Sequence, residues 1–551
     1  MTDIRYETDT LIVGSGPIGA TFARALVQAG HSVLMLEAGA QLSADPGMNL
    51  KNTYVHQHDT SLFSSIIRGH LHILSVSNSA RAEFAVEPTA AREPTTNHGR
   101  VRFTENPEQD TYRNIPAASV CYAVGGMATH WTCATPRHHP LLERYDGVPE
   151  EDWDRFYSDA EHILGVSSRE FDHSVRQRLL IDALRGEFHE LPEPYGVQSL
   201  PLAAERRAGN PSMVRWAGSD TVLGDIAHGD PRFSLLPQHL CTRLIPDATG
   251  SRIVSAEARD LLESRMVRIE ADHYVVAAGA VLTPQLLWAS GIRPKALGRY
   301  LTEHPMAFCQ VVLHSDLLDR LRSDPLFVSE RRCHREASPD GDVLIPMDDP
   351  EPNVWIPVSA NRPWHAQINR DAFQYGDLPS YVDDRLIVDL RWFGLIDPRP
   401  DNRVTFSAAH TDLHGMPQPT FDFTFSDDDT ARQHAMMTDM LRAAPVLGKY
   451  LPGSEPEFGT LGLPNHIAGT VRMGQDPDHS VVNGDSRVWD FENLYLGGNG
   501  VIPTGTASNP TLTSMALALM AVDHLTQGAS SPSTRSSRSR GPSAGPVERG
   551  S

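Results

Sequence analysis

Cysteine is scarce in this chain of 551 residues: Cys121, Cys133, Cys241, Cys309 and Cys333 are all there are. They are odd in number and scattered, with no Cys-x-x-Cys pair, so neither a disulfide framework nor a zinc knuckle is indicated. No run of about 18 apolar residues occurs, so no segment reads as a membrane span. Positive charge is also short: 48 Lys and Arg stand against 69 Asp and Glu, a formal net charge of −21. Such a surface is a poor match for nucleic acid or an anionic membrane, and its acidity reads as solubility. Met1 to Thr8 carries charge and no apolar run, so no signal peptide is expected and a reducing cytoplasm is the default location.

What is present is ordinary for a globular protein, 40% hydrophobic and 21% charged. The length exceeds what one core usually supports, so two domains or one elaborate domain are expected. Residues 9–37 read as strand, turn, helix, strand, whereas 45–120 look irregular and are rich in Thr, Asn and Pro. Helices are expected over 150–165, 174–187 and 427–449, strands over 233–280, and strand, loop and helix over 494–526. The Asp- and Pro-rich stretch 315–360 reads as a long surface excursion, and the Ser/Gly/Pro/Arg-rich tail 527–551 as disordered.

The first informative segment is Thr10-Leu11-Ile12-Val13, a buried parallel strand that runs into Gly14-Ser15-Gly16-Pro17-Ile18-Gly19. A helix with Phe22, Ala25, Leu26 and Ala29 follows, then a strand Val33–Leu36 that ends at Glu37. Gly14 allows the tight turn, Gly16 lets a pyrophosphate approach the backbone, and Gly19 lets helix and strand pack closely. The helix N-terminus offers free N–H groups to the phosphates. Glu37 is placed to accept from adenosine ribose hydroxyls and to disfavour a 2′-phosphate. These features indicate a dinucleotide, with FAD and NAD both open.

Four further segments resemble the glucose–methanol–choline (GMC) family of FAD oxidoreductases, and within it the pyranose oxidase and C-glycoside 3-oxidase branch. They are Val124-Gly-Gly-Met-Ala-Thr-His-Trp-Thr-Cys-Ala-Thr-Pro-Arg137; Gly279-Ala-Val-Leu-Thr-Pro-Gln-Leu-Leu-Trp-Ala-Ser-Gly-Ile292; Gln367-Ile-Asn-Arg-Asp-Ala-Phe-Gln-Tyr-Gly376 with Val388–Gly394; and His466-Ile-Ala-Gly-Thr470 with Asn509-Pro-Thr-Leu-Thr513. Arg293 departs from the second signature, which continues with Gly. The resemblance implies FAD rather than NAD. It implies an α/β (α+β) fold, with a Rossmann-like FAD domain from 1–60, 225–305 and 465–526 and a flavin-attachment segment and helical region over 61–224. A substrate domain on a large antiparallel sheet is then expected over 306–464.

Oxidising a sugar hydroxyl removes a proton from oxygen and a hydride from carbon, and flavin takes the hydride. With 25 histidines the residues alone do not single out a base. The resemblance implies His466 as base and substrate orienter and Asn509 as its partner on the sugar hydroxyl. Asn509 also reads as a helix N-cap before the apolar run Leu512–Leu519. The resemblance further implies that Gly126, Thr129, His130, Trp131, Thr132 and Thr511 surround the flavin, with His130 bonded covalently to it and Thr132 facing its reactive nitrogen. Thr132 also reads as a buried strand threonine. Cys241 marks main chain beside the adenine. Asp371, Phe373 and Tyr375 resemble a lid over the sugar. Gln367 and Arg391 are candidates for sugar contacts, and Arg391 also reads as half of a structural ion pair inside Asp-Leu-Arg. The pairs His56/His58, His70/His72 and His138/His139 lack accompanying carboxylates or cysteines and read as surface histidines, so no metal is expected.

The expected activity is FAD-dependent oxidation of a pyranose secondary hydroxyl, at C2 or C3 of glucose or a glucoside, to a ketone. The reduced flavin would pass its electrons to O2, giving H2O2, or to a quinone. A pyranose 2-oxidase-like enzyme leads. A C-glycoside 3-oxidase, an oxygen-avoiding dehydrogenase and a non-catalytic flavin-binding protein are the alternatives, and a homo-oligomer is left open.

Overall fold

The structure is a computed structural model that describes residues 4–53, 55–56, 59–74, 101–102, 106–207, 214–325, 327–328, 345, 349–370 and 382–528. Strand β1 (Ile4–Val13) becomes fully buried toward its carboxyl end, and Gly14 then turns the chain at φ +102° into helix α1 (Pro17–Gln28). Ile18, Phe22, Ala23 and Leu26 are the buried side of α1. Strand β2 (Val33–Leu36) returns parallel to β1, as Val, Leu and Met in an unbroken apolar run require of a strand covered on both faces. Phe233–Leu236 extends this sheet beyond β2, and Arg265–Val276 pairs with the other side of β1, both in parallel. Leu494–Leu496 pairs parallel to Arg265–Val276, while Ile253–Asp260 and His239–Pro246 continue as antiparallel strands. The carboxyl ends of the parallel strands gather at one edge and are tied to each other: Gly14 donates to Leu36 O, Ala277 to Val13 O and Gly497 to Val276 O. Ligands bind outside such an edge in open α/β sheets.

A second seven-stranded sheet is antiparallel throughout. Its centre is Met306–Leu313, Ile387–Gly394, Trp364–Asn369 and Asn353–Ile356 in spatial order. One face carries Ala307, Cys309, Leu390, Trp392, Ala366 and Ile368 into a core with Met436, Met440 and Leu447 of helix Asp427–Leu447. The register sets Phe308, Arg391 and Gln367 side by side on the opposite face, with Met306, Phe393 and His365 in the next row. Strand alternation alone therefore turns a polar row toward the remaining volume.

The strands of the first sheet, the helices at Glu150–Leu164 and Val175–Glu187, and the final helix Thr511–Gly528 stand where the sequence pattern placed them. Three expectations are corrected. Residues 45–120 are not wholly irregular: Thr60–His70 is a helix, started by Asp59 accepting from the Leu62 N–H and held by buried Phe63 and Ile67 one turn apart. Residues 315–360 are not all a surface excursion, because Asn353–Ile356 is a fully buried strand of the second sheet. Its Asp- and Pro-rich flanks had hidden it. At the tail, Gln527 and Gly528 close the last helix turn, and the rest of 527–551 lies outside the described residues. No helix among the described residues is long and apolar enough to cross a membrane.

Candidate active site

A cavity of about 670 Å³ runs from the carboxyl edge of the parallel sheet to the polar face of the antiparallel one. At its first end Gly14 and Gly16 form the floor. A Cβ on Gly14 would lie 2.4 Å from Ala277 O, and one on Gly19 only 2.0 Å from Gly14 O, so both glycines are required by backbone approach. A Cβ on Gly16 would meet nothing nearer than Gly125 O at 4.0 Å, so this position is open toward a ligand. No side chain caps α1, which leaves its N-terminus available to phosphate oxygens. Glu37 lines the same end; its carboxylate accepts from the Ser15 N–H (3.1 Å), the Ser15 hydroxyl (2.7 Å) and the Gly39 N–H (2.7 Å). Burial pushes its pKa up, against the pull of those donors. Cys241, buried, lines the wall beside it. Open glycine floor, uncapped helix and buried acid together fit the ADP half of FAD.

Gly126, His130, Trp131 and Thr132 line the middle of the cavity. His130 Nδ1 is 3.0 Å from Thr129 Oγ1, whose own proton goes to Gly126 O at 2.8 Å. Thr129 must therefore accept from Nδ1–H, which leaves the lone pair on Nε2. Burial lowers the His130 pKa to about 4, so the ring is neutral. Thr129 itself does not reach the cavity; it orients His130 from behind. Thr132 stands in an irregular segment rather than in a buried strand. Trp131 is fixed by its indole N–H to Ala217 O, 2.7 Å.

At the far end stand Gln367, Arg391, Phe393, His466, Asn509 and Thr511. Gln367 Nε2 donates to Asn509 Oδ1 at 2.6 Å, and Asn509 Nδ2 points at His466 Nε2 at 3.3 Å. The Asn509 side chain is thus held between Gln367 and His466, two residues before the helix that starts at Thr511. Arg391, in register with Gln367, also has its guanidinium 3.6 Å from buried Asp389, so it lines the cavity and forms the ion pair together. Asp371, Phe373 and Tyr375 lie outside the described residues.

Several residues behind this end carry no local sequence signal of their role. The Glu303 carboxylate accepts the His466 backbone N–H at 3.1 and 3.2 Å, and burial raises its pKa to about 8. His304 Nδ1 lies 3.0 Å from His466 Nδ1. Glu143 Oε1 accepts from the N–H groups of Ala507 (2.8 Å) and Ser508 (2.7 Å), the two residues before Asn509. Its Oε2 accepts from the Ser508 hydroxyl at 2.9 Å and the His139 N–H at 2.7 Å. His138 and His139 are accordingly buried, 1% and 8% exposed, and not the surface pair expected. The adjacent acid Glu143 was the available signal.

Models of the GMC oxidoreductase family match residues 143–306 and 398–518, and a NAD(P)-binding Rossmann-like model matches 12–71. The chain is 41% identical over 531 residues to a pyranose 2-oxidase of Tricholoma matsutake, covering 94% of this chain and 93% of the relative. It is 35% identical to a C-glycoside 3-oxidase of Microbacterium trichothecenolyticum, covering 94% and 96%. The crystal structure of pyridoxine 4-oxidase from Mesorbium loti shares its fold, with a TM-score of 0.62 at 17% identity over 94% of this chain and 98% of that one. A formate oxidase structure superposes similarly, with a TM-score of 0.63 at 13% identity over 96% and 99%. The cofactor is FAD, and the chain belongs to the GMC oxidoreductase family.

Proposed function

We propose that this enzyme oxidises the C2 hydroxyl of a pyranose to a ketone, with His466 as base and Asn509 as its partner. The observation that carries the reading is the pairing of His466 Nε2 with the Asn509 amide at the sheet-lined end of the cavity, opposite the glycine turn. Burial lowers the His466 pKa to about 4, so its imidazole is neutral and can take a proton. Because Asn509 Nδ2 only donates, His466 Nε2 holds the lone pair. A sugar hydroxyl lying against both gives its proton to Nε2 while the amide N–H steadies the oxygen. Gln367 holds Asn509 in that orientation, and Arg391 beside it offers N–H donors to neighbouring hydroxyls. Phe308 and Phe393 supply apolar surface for ring carbons.

FAD bound in this cavity would supply the acceptor for the hydride of the sugar carbon. Gly14, Gly16, Glu37 and Cys241 would hold its ADP half, and Gly126, His130, Trp131, Thr132 and Thr511 its flavin half, with the covalent link at His130 Nε2. O2 is the acceptor this reading carries, and turnover compared between O2 and a benzoquinone separates it from a dehydrogenase.

Oxidation at C3 of a C-glycoside is the second reading, favoured by the 35% identity to such an oxidase over nearly the full chain. NMR of the ketone formed from glucose and from a C-glycoside distinguishes the two. His466→Ala tests the base: flavin reduction by sugar is expected to fall by about 10²-fold or more with the flavin spectrum intact. Reduction at the wild-type rate would remove His466 from the mechanism and leave a protein that merely holds flavin.

A further inference from the structure

We propose that His304 is a positioning residue that fixes His466 in the tautomer with Nε2 unprotonated and shares, through Nδ1, the positive charge that His466 gains when it takes the sugar's proton. This rests on the reading of His466 as base.

The hydrogen bonds run in one direction. Asn509 Nδ2–H donates to His466 Nε2, so the neutral ring carries its proton on Nδ1. That proton lies between His466 Nδ1 and His304 Nδ1, 3.0 Å apart. His304 must accept there, so its own proton is on Nε2, which stands 3.1 Å from Thr506 Oγ1. Reversing any one link sets two donors or two lone pairs against each other. The rings meet edge-on at 4.8 Å between centroids, and Phe393 flanks both.

Among the described residues nothing charged competes for the shared proton. Glu303 faces the pair through the His466 backbone, and burial raises it to about 8, so it is largely uncharged at neutral pH. His365 reaches the pair from the antiparallel sheet and His138 from the segment before Glu143; burial lowers both, His365 to about 3. Arg391, on the cavity face of that sheet, is engaged by Asp389. As the alcohol proton moves to Nε2, the O–H bond is exchanged for an N–H bond while the carbon gives up its hydride and its oxygen becomes a carbonyl. The positive charge is then spread over two imidazoles joined by one N–H···N bond, and His304 passes part of it to Thr506.

His304→Phe keeps a ring but offers no acceptor, whereas Asn places an amide oxygen about where Nδ1 lies. In the loaded enzyme under anaerobic mixing with glucose, His304→Phe is expected to slow flavin reduction about 10- to 100-fold, part of the ~10²–10⁴ a positioned base is worth. The acid limb of the reduction rate should move to lower pH, because His466⁺ loses its acceptor, while apparent glucose affinity changes by no more than about twofold. His304→Asn should recover most of the rate and the wild-type pH limb. Thr506→Val, which keeps the volume, should shift rate and limb the same way to a smaller extent, and it carries the test if the Phe variant does not fold. The proposal is overturned if rate and pH profile match wild type in His304→Phe, or if Phe and Asn slow reduction equally with the limb unmoved. His466→Ala run alongside separates the failures: if it loses reduction while the His304 variants do not, only this proposal falls; if it reduces normally, the base assignment falls.

Discussion

Gly16→Ala and Gly19→Ala, three residues apart in one turn, should damage the protein by unrelated routes. The Cβ that Gly19→Ala adds would sit 2.0 Å from Gly14 O, a backbone atom that cannot rotate away. Restoring an ordinary contact of ~3.5 Å means moving α1 off β1 by about 1.5 Å, and α1 carries buried Ile18, Phe22 and Leu26 with it. Overpacking of this kind costs ~1–3 kcal/mol, and more where only backbone can yield. Gly16 has φ −61° and ψ 177°, which any residue adopts, and its new Cβ would have 4.0 Å of clearance. Ala restricts the unfolded chain, a gain of ~0.4–1 kcal/mol, against a loss of similar size for a poorer N-cap. The fold should therefore ignore Gly16→Ala, and the methyl meets only the ligand. In a His130→Ala background, where FAD exchanges, melting is measured across an FAD titration. Gly16→Ala alone should melt like its parent without FAD but fail to gain the ~2.7 kcal/mol that 100-fold excess over Kd confers on the parent. Gly19→Ala should melt early at every FAD concentration. A Gly16→Ala protein as unstable as Gly19→Ala without FAD, or one that gains the parent's full FAD stabilisation, would refute the assignment of that opening to the pyrophosphate.

His130→Ala in the otherwise wild-type chain should release all of its flavin into the supernatant on acid precipitation, whereas wild type keeps the colour in the pellet; colour lost from wild type would exclude the bond at Nε2. Glu143→Gln keeps one acceptor oxygen for Ala507 and Ser508 but sets an NH2 against the His139 N–H. It should cost ~1–3 kcal/mol in thermal melts and lower kcat for sugar more than it raises KM, because Asn509 is the group displaced. An unchanged kcat in a destabilised Glu143→Gln protein would confine Glu143 to the fold.

The glycine turn was legible because everything it needs is local: Gly14, Gly16, Gly19 and Glu37 act within one strand–helix–strand unit. The antiparallel sheet was not, since the pairing of Phe308, Arg391 and Gln367 depends on registers between strands up to 83 residues apart in the chain, 391 against 308. Periodicity shows which residues share a face but not which strand lies beside which. The helix at Thr60–His70 was missed because its Ser-rich composition outweighed a short Phe63/Ile67 stripe. His466 and Asn509 came from resemblance and stand together at one end of the cavity. Their supports, Glu303, His304, Glu143 and Thr506, are ordinary residues in their own segments. They acquire meaning only when chain positions 143, 303–304, 466 and 506–509 meet.

A base lowered to about 4 raises the question of how it can deprotonate an alcohol. The same burial that weakens it also keeps the titratable neighbours of His466 uncharged, from Glu303, raised to about 8, to His365, lowered to about 3. Such a site does little for a separated alkoxide–imidazolium pair in the ground state, because burial disfavours both ions and Arg391 on the cavity wall is already paired with Asp389. It favours the proton moving toward Nε2 as the hydride leaves carbon, when the oxygen is becoming a carbonyl and its proton grows acidic. Asn509 suits that course better than a cation would, since its amide N–H follows an oxygen that begins as hydroxyl and ends as ketone without binding an intermediate anion too tightly. The weak base and the neutral amide are thus parts of one design, and His304 behind the ring fixes which nitrogen of His466 meets the alcohol.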